Sequence, residues 1–245
     1  MPDRRGAPVA VVTAIREEFR AVVRVARDVR WDRKPYARAR IGCADVVIAA
    51  TGDGVQNAGR GAASLCDFFR PAALVGVGLA GGLTSGLSAC DVIVGTRVVE
   101  EAGEAPPPDT ALLDRAVAAG ARRATLLTGS VPVLSASRRR ALASSLGAGE
   151  PAAADMESAA WARAAAGRDV PYVILRAISD TAEEDLPAYL ADCVGGDGGI
   201  RRSAVAIRAL RRPSSWAALA RLRHRVSSGS RALALFLERF LADPL

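Results

Sequence analysis

The sequence has little of what several kinds of chemistry require. It contains one histidine, His224, in a basic segment near the end. A mechanism that runs on a catalytic histidine, or a His-rich metal site, is therefore not expected. Four cysteines, Cys43, Cys66, Cys90 and Cys193, are scattered with no CxxC spacing, so no metal cluster is implied and reduced thiols in a cytosol are the default. No signal-peptide apolar core precedes the first strand, and a cytoplasmic location is expected. Residues 71–90 carry no charge and are long enough to span a bilayer. Gly76, Gly78, Gly81, Gly82 and Gly86 interrupt them, so a buried strand running into a glycine loop is the better reading. Acidic residues are missing altogether from 198 to 237.

What is present suits one α/β domain, since 245 residues can bury a full core without staples. Apolar, β-branched runs at 9–13, 44–50, 73–78, 90–95, 124–127 and 172–178 read as strands. Helices are expected at 16–26, after the glycine turn at 51–58 and up to about 69, at 109–119, from Ser137 and at 156–166. Residues 31–40 look like a hairpin approach, and 100–108, acidic and then proline-rich, like a surface loop. The order predicts a single-domain three-layer α/β sandwich: a twisted mixed central β-sheet flanked by helices, over residues 1–200. Residues 201–245 form a basic helical C-terminal extension, packed on that domain or appended to it. The extension holds ten arginines against Glu238 and Asp243, about +8 of a net charge of +7, so the first 200 residues are near −1. Helices are expected there at 200–210, then at 216–226 capped by Ser214, then at 232–241 capped by Ser230. Three readings of this tail stay open. It is a last helix packed on the sheet with a solvated arginine face; or a basic amphipathic surface with Trp216, Phe236 and Phe240 resting on anionic lipid; or a nucleic-acid contact. The last is disfavoured, since the arginine run lacks a recognisable nucleic-acid fold.

Three carboxylates stand out. Asp155 is a plausible helix N-cap, and Glu157 follows it in the first turn. Asp180 lies just past the carboxyl end of the strand at 172–178, where ligands bind in open α/β sheets. Glu18 opens the helix after the first strand. Each has a plainer role available: Glu17 and Glu18 favour a helix dipole, and Asp180 with Glu183 makes a capping box.

Asp155-Met156-Glu157-Ser158-Ala159-Ala160 followed by Arg176-Ala177-Ile178-Ser179-Asp180 resembles the nucleoside phosphorylase superfamily, and within it the nucleosidases that cleave methylthioadenosine and adenosylhomocysteine. The run before Glu17-Glu18, the turn Gly52-Asp53-Gly54, the Ala80-Gly81-Gly82 turn and Cys90–Gly95 match further motifs of that family. Two positions depart from it. Leu79 stands where a hydroxyl residue is usual, and Pro132 or Val133 where an aromatic stacks on adenine. The resemblance implies cleavage of the N-glycosidic bond of a purine nucleoside, with release of adenine. Asp180 would be the general acid at the base, and Glu18 would activate water. Glu157 would accept the ribose hydroxyls, with Met156 packed on the sugar. Ser179, Ala80, Gly81 and Val133 would complete the substrate pocket. Arg16, Gly52 and Gly54 would serve the water or phosphate side. No metal or cofactor is implied, and phosphate enters only as a possible co-substrate.

Hydrolysis and phosphorolysis both stay open, with Glu18 favouring water because it would repel phosphate. The body of the chain, Asp180–Pro187 and the arginine-rich tail resemble the hopanoid-associated phosphorylase group, which implies adenosylhopane as substrate and contact with the inner membrane through the tail. The family resemblance also implies a homodimer or larger homo-oligomer. A non-catalytic nucleoside-binding module is the reading from another class, supported by Leu79 and Pro132 and opposed by the three carboxylates.

Overall fold

A computed structural model describes residues 6–32, 36–100, 102–147, 149–193, 195 and 216–244. Ten strands and six α-helices alternate along them. They are β1 (Val9–Thr13), α1 (Arg16–Val25), β2 (Arg27–Trp31), β3 (Tyr36–Ile41), β4 (Ala44–Ala50), α2 (Val55–Phe69), β5 (Ala73–Gly82) and β6 (Val92–Glu100). Then come β7 (Gly103–Glu104), α3 (Thr110–Ala118), β8 (Arg122–Thr128), α4 (Ala136–Ser145), β9 (Ala152–Asp155), α5 (Ser158–Ala166), β10 (Tyr172–Asp180) and α6 (Trp216–Phe240).

The strands make one mixed sheet in the order β10-β6-β8-β9-β5-β1-β4-β3-β2, with β7 paired to the end of β6. β10 also pairs with β5, so β5, β9, β8, β6 and β10 close on themselves while β1 to β4 continue as an open sheet. β5 is the hub of this arrangement: it runs parallel to β1 and β10 and antiparallel to β9. Its all-apolar sequence fits a strand covered on both faces. Apolar clusters lie on either side of the sheet. One includes Leu65, Trp161 and Ile174 under α2 and α5, the other Val75, Val173 and Leu175 under α1, α3 and α6.

Register at the carboxyl end of β5 positions the site. Gly81 pairs with Asp180 of β10 on one side and Ala154 of β9 on the other. The two acidic motifs, far apart in sequence, are thereby placed next to each other across one strand.

Several boundaries differ from expectation. β9 was not foreseen, because Ala152-Ala153-Ala154 carries no β-branched signal. α5 begins at Ser158 rather than at 156, and β5 runs on through the expected turn to Gly82. The proline-rich stretch contains the two-residue strand β7. The two tail helices expected at 216–226 and 232–241 are one continuous helix, α6, with Ser227-Ser228-Gly229-Ser230 in its interior. Packing explains this. A Cβ on Gly229 would sit 2.9 Å from Leu79 Cδ2, so glycine lets the helix lie tightly on β5 and outweighs its own poor helix propensity.

The C-terminal half of α6 belongs to the core. Leu233, Phe236, Leu237, Phe240 and Leu241 recur at helical spacing, and all are buried against the sheet and α1. Phe236 and Phe240 therefore cannot form the lipid-facing surface considered for the tail, whereas Trp216 is exposed. The helix expected at 200–210 lies outside the described residues.

Candidate functional site

One large cavity opens at the carboxyl end of β5. Its walls include Glu18, Ala80, Gly81, Val133, Met156, Glu157, Ser179 and Asp180, so these residues meet in one place. Pro132 also lines it. Arg16 is exposed and, like Gly52 and Gly54, is not among the lining residues. It occupies the first turn of α1 with its side chain outward. Gly54 contributes from behind, donating its backbone N–H to Glu157 Oε1 at 3.1 Å.

Six charged side chains are buried among the described residues: Glu18, Asp155, Glu157, Asp180, Arg139 and Arg176. Arg176, on β10, is fully buried and links two of the acids. Its Nε lies 3.1 Å from Asp155 Oδ2, and its Nη2 lies 3.4 Å from Glu157 Oε2 and 3.0 Å from Ser158 Oγ. The guanidinium also stacks over Trp161, 4.7 Å from the ring centroid. Room for it exists because residue 78 is glycine: a Cβ there would be 2.1 Å from Arg176 Nη1 and 3.2 Å from Glu18 Oε1.

Asp155 is structural. Its Oδ1 accepts the N–H groups of Glu157 (3.1 Å) and Ser158 (3.0 Å) and the hydroxyl of Thr128 (3.0 Å). It thus caps α5 from the end of β9 and holds the first turn in place. This fixes Glu157, whose second oxygen faces Arg176. Burial raises the Glu157 pKa to about 7; Arg176 and the Gly54 N–H oppose the rise, and the carboxylates of Asp155 and Glu18 add to it.

Glu18 occupies a nest of backbone donors. Oε2 accepts from Ala14 and Ile15 and Oε1 from Leu79, each at 3.0 Å. Burial nevertheless raises its pKa, with Arg176 and those three N–H groups pulling the other way. A carboxylate of the chain itself therefore fills the place where a phosphate would seek backbone donors.

Asp180 is held from two sides. Ser179 Oγ donates to its Oδ1, and Arg139 is ion-paired to its Oδ2. Arg139, on α4, also donates to the carbonyls of Gly82 (3.0 Å) and Val133 (2.8 Å), tying the acid to β5 and to the loop before α4. A Cβ on Gly81 would lie 2.7 Å from Asp180 Oδ2 and 2.8 Å from Arg139 Nη1, so glycine is required for this approach. Arg139 and Arg176 are the site residues that sequence reasoning missed. The first sits in the run Arg138-Arg139-Arg140, which looks like a surface; the second lay inside a quoted motif without a role.

No aromatic residue is among those lining the cavity; Pro132, Val133, Leu134 and Met156 supply its apolar surface near Asp180 and Glu157. At about 2530 Å³ the cavity far exceeds the range of roughly 300–1,000 Å³ usual for small-molecule sites. The excess runs between α1 and α6, past Ala21, Val25, Val226, Ala234 and Leu235.

The comparisons with known proteins give the family and the fold. The family model described as "Phosphorylase superfamily" matches residues 8–193. A 5'-methylthioadenosine/S-adenosylhomocysteine nucleosidase of Mycobacterium tuberculosis is 30% identical over 184 residues, covering 57% of this chain and 71% of that protein. The protein of the same name from a Geobacillus species is 28% identical over 207 residues, covering 72% and 87%. Among solved structures, that nucleosidase from S. pneumoniae, with a transition-state inhibitor, superposes with a TM-score of 0.74 at 19% identity, covering 96% of this chain and 98% of that one. Futalosine hydrolase of Helicobacter pylori gives 0.71 at 17% identity, covering 97% and 98%. At such identities the structural likeness speaks for the fold.

Proposed function

We propose that this chain, which belongs to the phosphorylase superfamily, hydrolyses the N-glycosidic bond of an adenine nucleoside with a large apolar group on its 5′ side. The observation that carries the reading is the charge inside the cavity: four buried carboxylates against two buried guanidiniums. Breaking the bond between N9 and C1′ leaves positive charge on the ribosyl centre, and a surplus of fixed negative charge in a water-poor site stabilises it.

Each side chain has a task in that reaction. Asp180 passes a proton to N7, so that the C1′–N9 electron pair leaves with a neutral base. Arg139 and Ser179 hold that carboxyl in line. Glu157 accepts hydrogen bonds from the ribose 2′ and 3′ hydroxyls, and Met156 packs on the sugar. Glu18 takes a proton from the water that attacks C1′ on the opposite face. Its nest of three N–H groups supports water over phosphate as nucleophile, since those donors are already engaged. The exposed position of Arg16 supports the same choice.

For the 5′ group, the support is the size of the cavity and its part between α1 and α6, where Ala21, Val25, Leu222, Val226, Ala234 and Leu235 lie among arginines and serines. Adenosylhopane, which the resemblance to the hopanoid-associated group implies, would place its lipidic part there. A methylthioadenosine or adenosylhomocysteine nucleosidase is the second reading, favoured by the names of the relatives at 28–30% identity. Adenine release is to be followed with and without phosphate, on adenosylhopane and on methylthioadenosine, with the sugar product identified by mass. The proposal expects a free sugar, formed without phosphate, from the lipidic substrate. A sugar 1-phosphate would reject hydrolysis, and turnover of methylthioadenosine alone would reject the lipidic substrate.

A further inference from the structure

The charged side chains that line the cavity sort by depth. Seven of the eight carboxylates among them are buried or half-buried, and the eighth, Asp185, is exposed. Of the six charged lining residues that are exposed, five are arginines: Arg20 and Arg24 on α1, Arg138 on α4, Arg223 and Arg231 on α6. None of the five forms an ion pair with a described residue. Two large apolar side chains stand among them at the same mouth, Val131 at 57% and Leu235 at 43% exposure. Five like charges around an opening, against the one exposed carboxylate of Asp185, leave a positive rim that attracts a polyanion.

We propose that this rim docks on an anionic lipid bilayer, so that the cavity opens onto the membrane surface. The guanidiniums would pair with lipid phosphates, and Val131 and Leu235 would enter the headgroup region. The apolar tips decide the class of partner. A nucleic-acid duplex would leave them in water, whereas a bilayer interface accepts them beside the arginines. The contact is peripheral, because no helix among the described residues is long and apolar enough to cross a membrane. The sequence places five more arginines and no acid between 201 and 215, outside the described residues. The inference gives the nucleosidase reading its route for a lipidic substrate, and it rests on that reading for its purpose only.

Co-sedimentation of the full chain with phosphatidylcholine vesicles, with and without about one third phosphatidylglycerol, tests the docking directly. The chain should pellet with the anionic vesicles only and be released by high salt. Each Arg→Gln change at Arg20, Arg24 and Arg223 should weaken partitioning about fivefold, and the three together roughly a hundredfold. The triple variant should melt like the parent, and the parent's hydrolysis of a soluble nucleoside is measured without vesicles. That hydrolysis assay stands apart from the vesicle assay, so failure of the nucleosidase reading cannot be mistaken for failure of docking. Equal binding to neutral vesicles overturns the proposal. So does undiminished binding of the triple variant, which would place the contact elsewhere on the chain. Retention of duplex DNA without vesicle binding, or self-association that the triple variant abolishes while its vesicle binding persists, overturns it as well.

Discussion

Replacing Glu157 by Gln should stabilise the protein above neutral pH while it slows turnover. Burial raises this carboxyl from its ordinary value of 4.5 to about 7. Below pH 4.5 the folded and unfolded chains both keep the proton, and the substitution gains nothing. Between pH 4.5 and 7 the unfolded chain releases a proton that the folded chain retains. Native stability is lost across that window and stays lost above it. At roughly 1.4 kcal/mol per pH unit the loss is about 3 kcal/mol. Gln cannot ionise and escapes it, and its amide oxygen can still accept the Gly54 N–H. Arg176 is not stranded, because Asp155 Oδ2 at 3.1 Å and Ser158 Oγ at 3.0 Å remain as partners. For a domain of this size about 1 kcal/mol moves Tm by roughly 2–4 °C, so the variant should melt about 6–12 °C above the parent at pH 8 and close to it at pH 4.5. Thermal unfolding followed by circular dichroism at the two pH values decides the matter. A variant less stable than the parent at pH 8 would mean that the Glu157–Arg176 pair outweighs the burial of charge, and would refute the reasoning.

Asp180→Asn should lower kcat by about 10²–10⁴ with substrate still bound, since it removes the proton donor and keeps the shape; adenine release and equilibrium binding, measured on the same preparation, check it. Arg139→Ala should cost about 3–5 kcal/mol in urea unfolding by leaving the Asp180 carboxylate buried without its partner. Much of that should return in the double variant with Asp180→Asn, and its absence would place the role of Arg139 elsewhere. Phe236→Ala should destabilise by about 3–5 kcal/mol, as expected of a fully buried ring. A loss below about 1 kcal/mol would mean that α6 is not part of the cooperative unit.

The parts of this molecule that were legible in the sequence are those whose signal is local. Strands of β-branched residues such as Val9–Thr13 and Ala44–Ala50 announce themselves, and Glu157 and Asp180 sit in motifs with a fixed relation to a helix start and a strand end. What was not legible is decided across space. Arg139 looks like its neighbours Arg138 and Arg140, and only the approach of α4 to β5 and β10 buries the middle one. Ser227-Ser228-Gly229-Ser230 reads as a helix break, yet the close contact of Gly229 with Leu79 keeps α6 continuous. That contact also bears on the Leu79 departure. A leucine replaces the expected hydroxyl at a point where β5 receives α6, so the residue serves packing.

The arrangement of charge explains why so many backbone devices converge here. Four carboxylates cannot be buried together unless each is held apart from the others. Asp155 is held by a helix start, Glu18 by three N–H groups, Glu157 by Gly54 and Arg176, and Asp180 by Ser179 and Arg139. Two guanidiniums do not neutralise four acids, and burial raises the pKa values of Glu18 and Glu157. A ribosyl centre gaining positive charge would relieve that surplus, whereas the neutral nucleoside would not. On the proposed reading, the energy stored in burying the acids would be released chiefly in the transition state, which is the condition for binding energy to accelerate a reaction and not merely to hold its substrate.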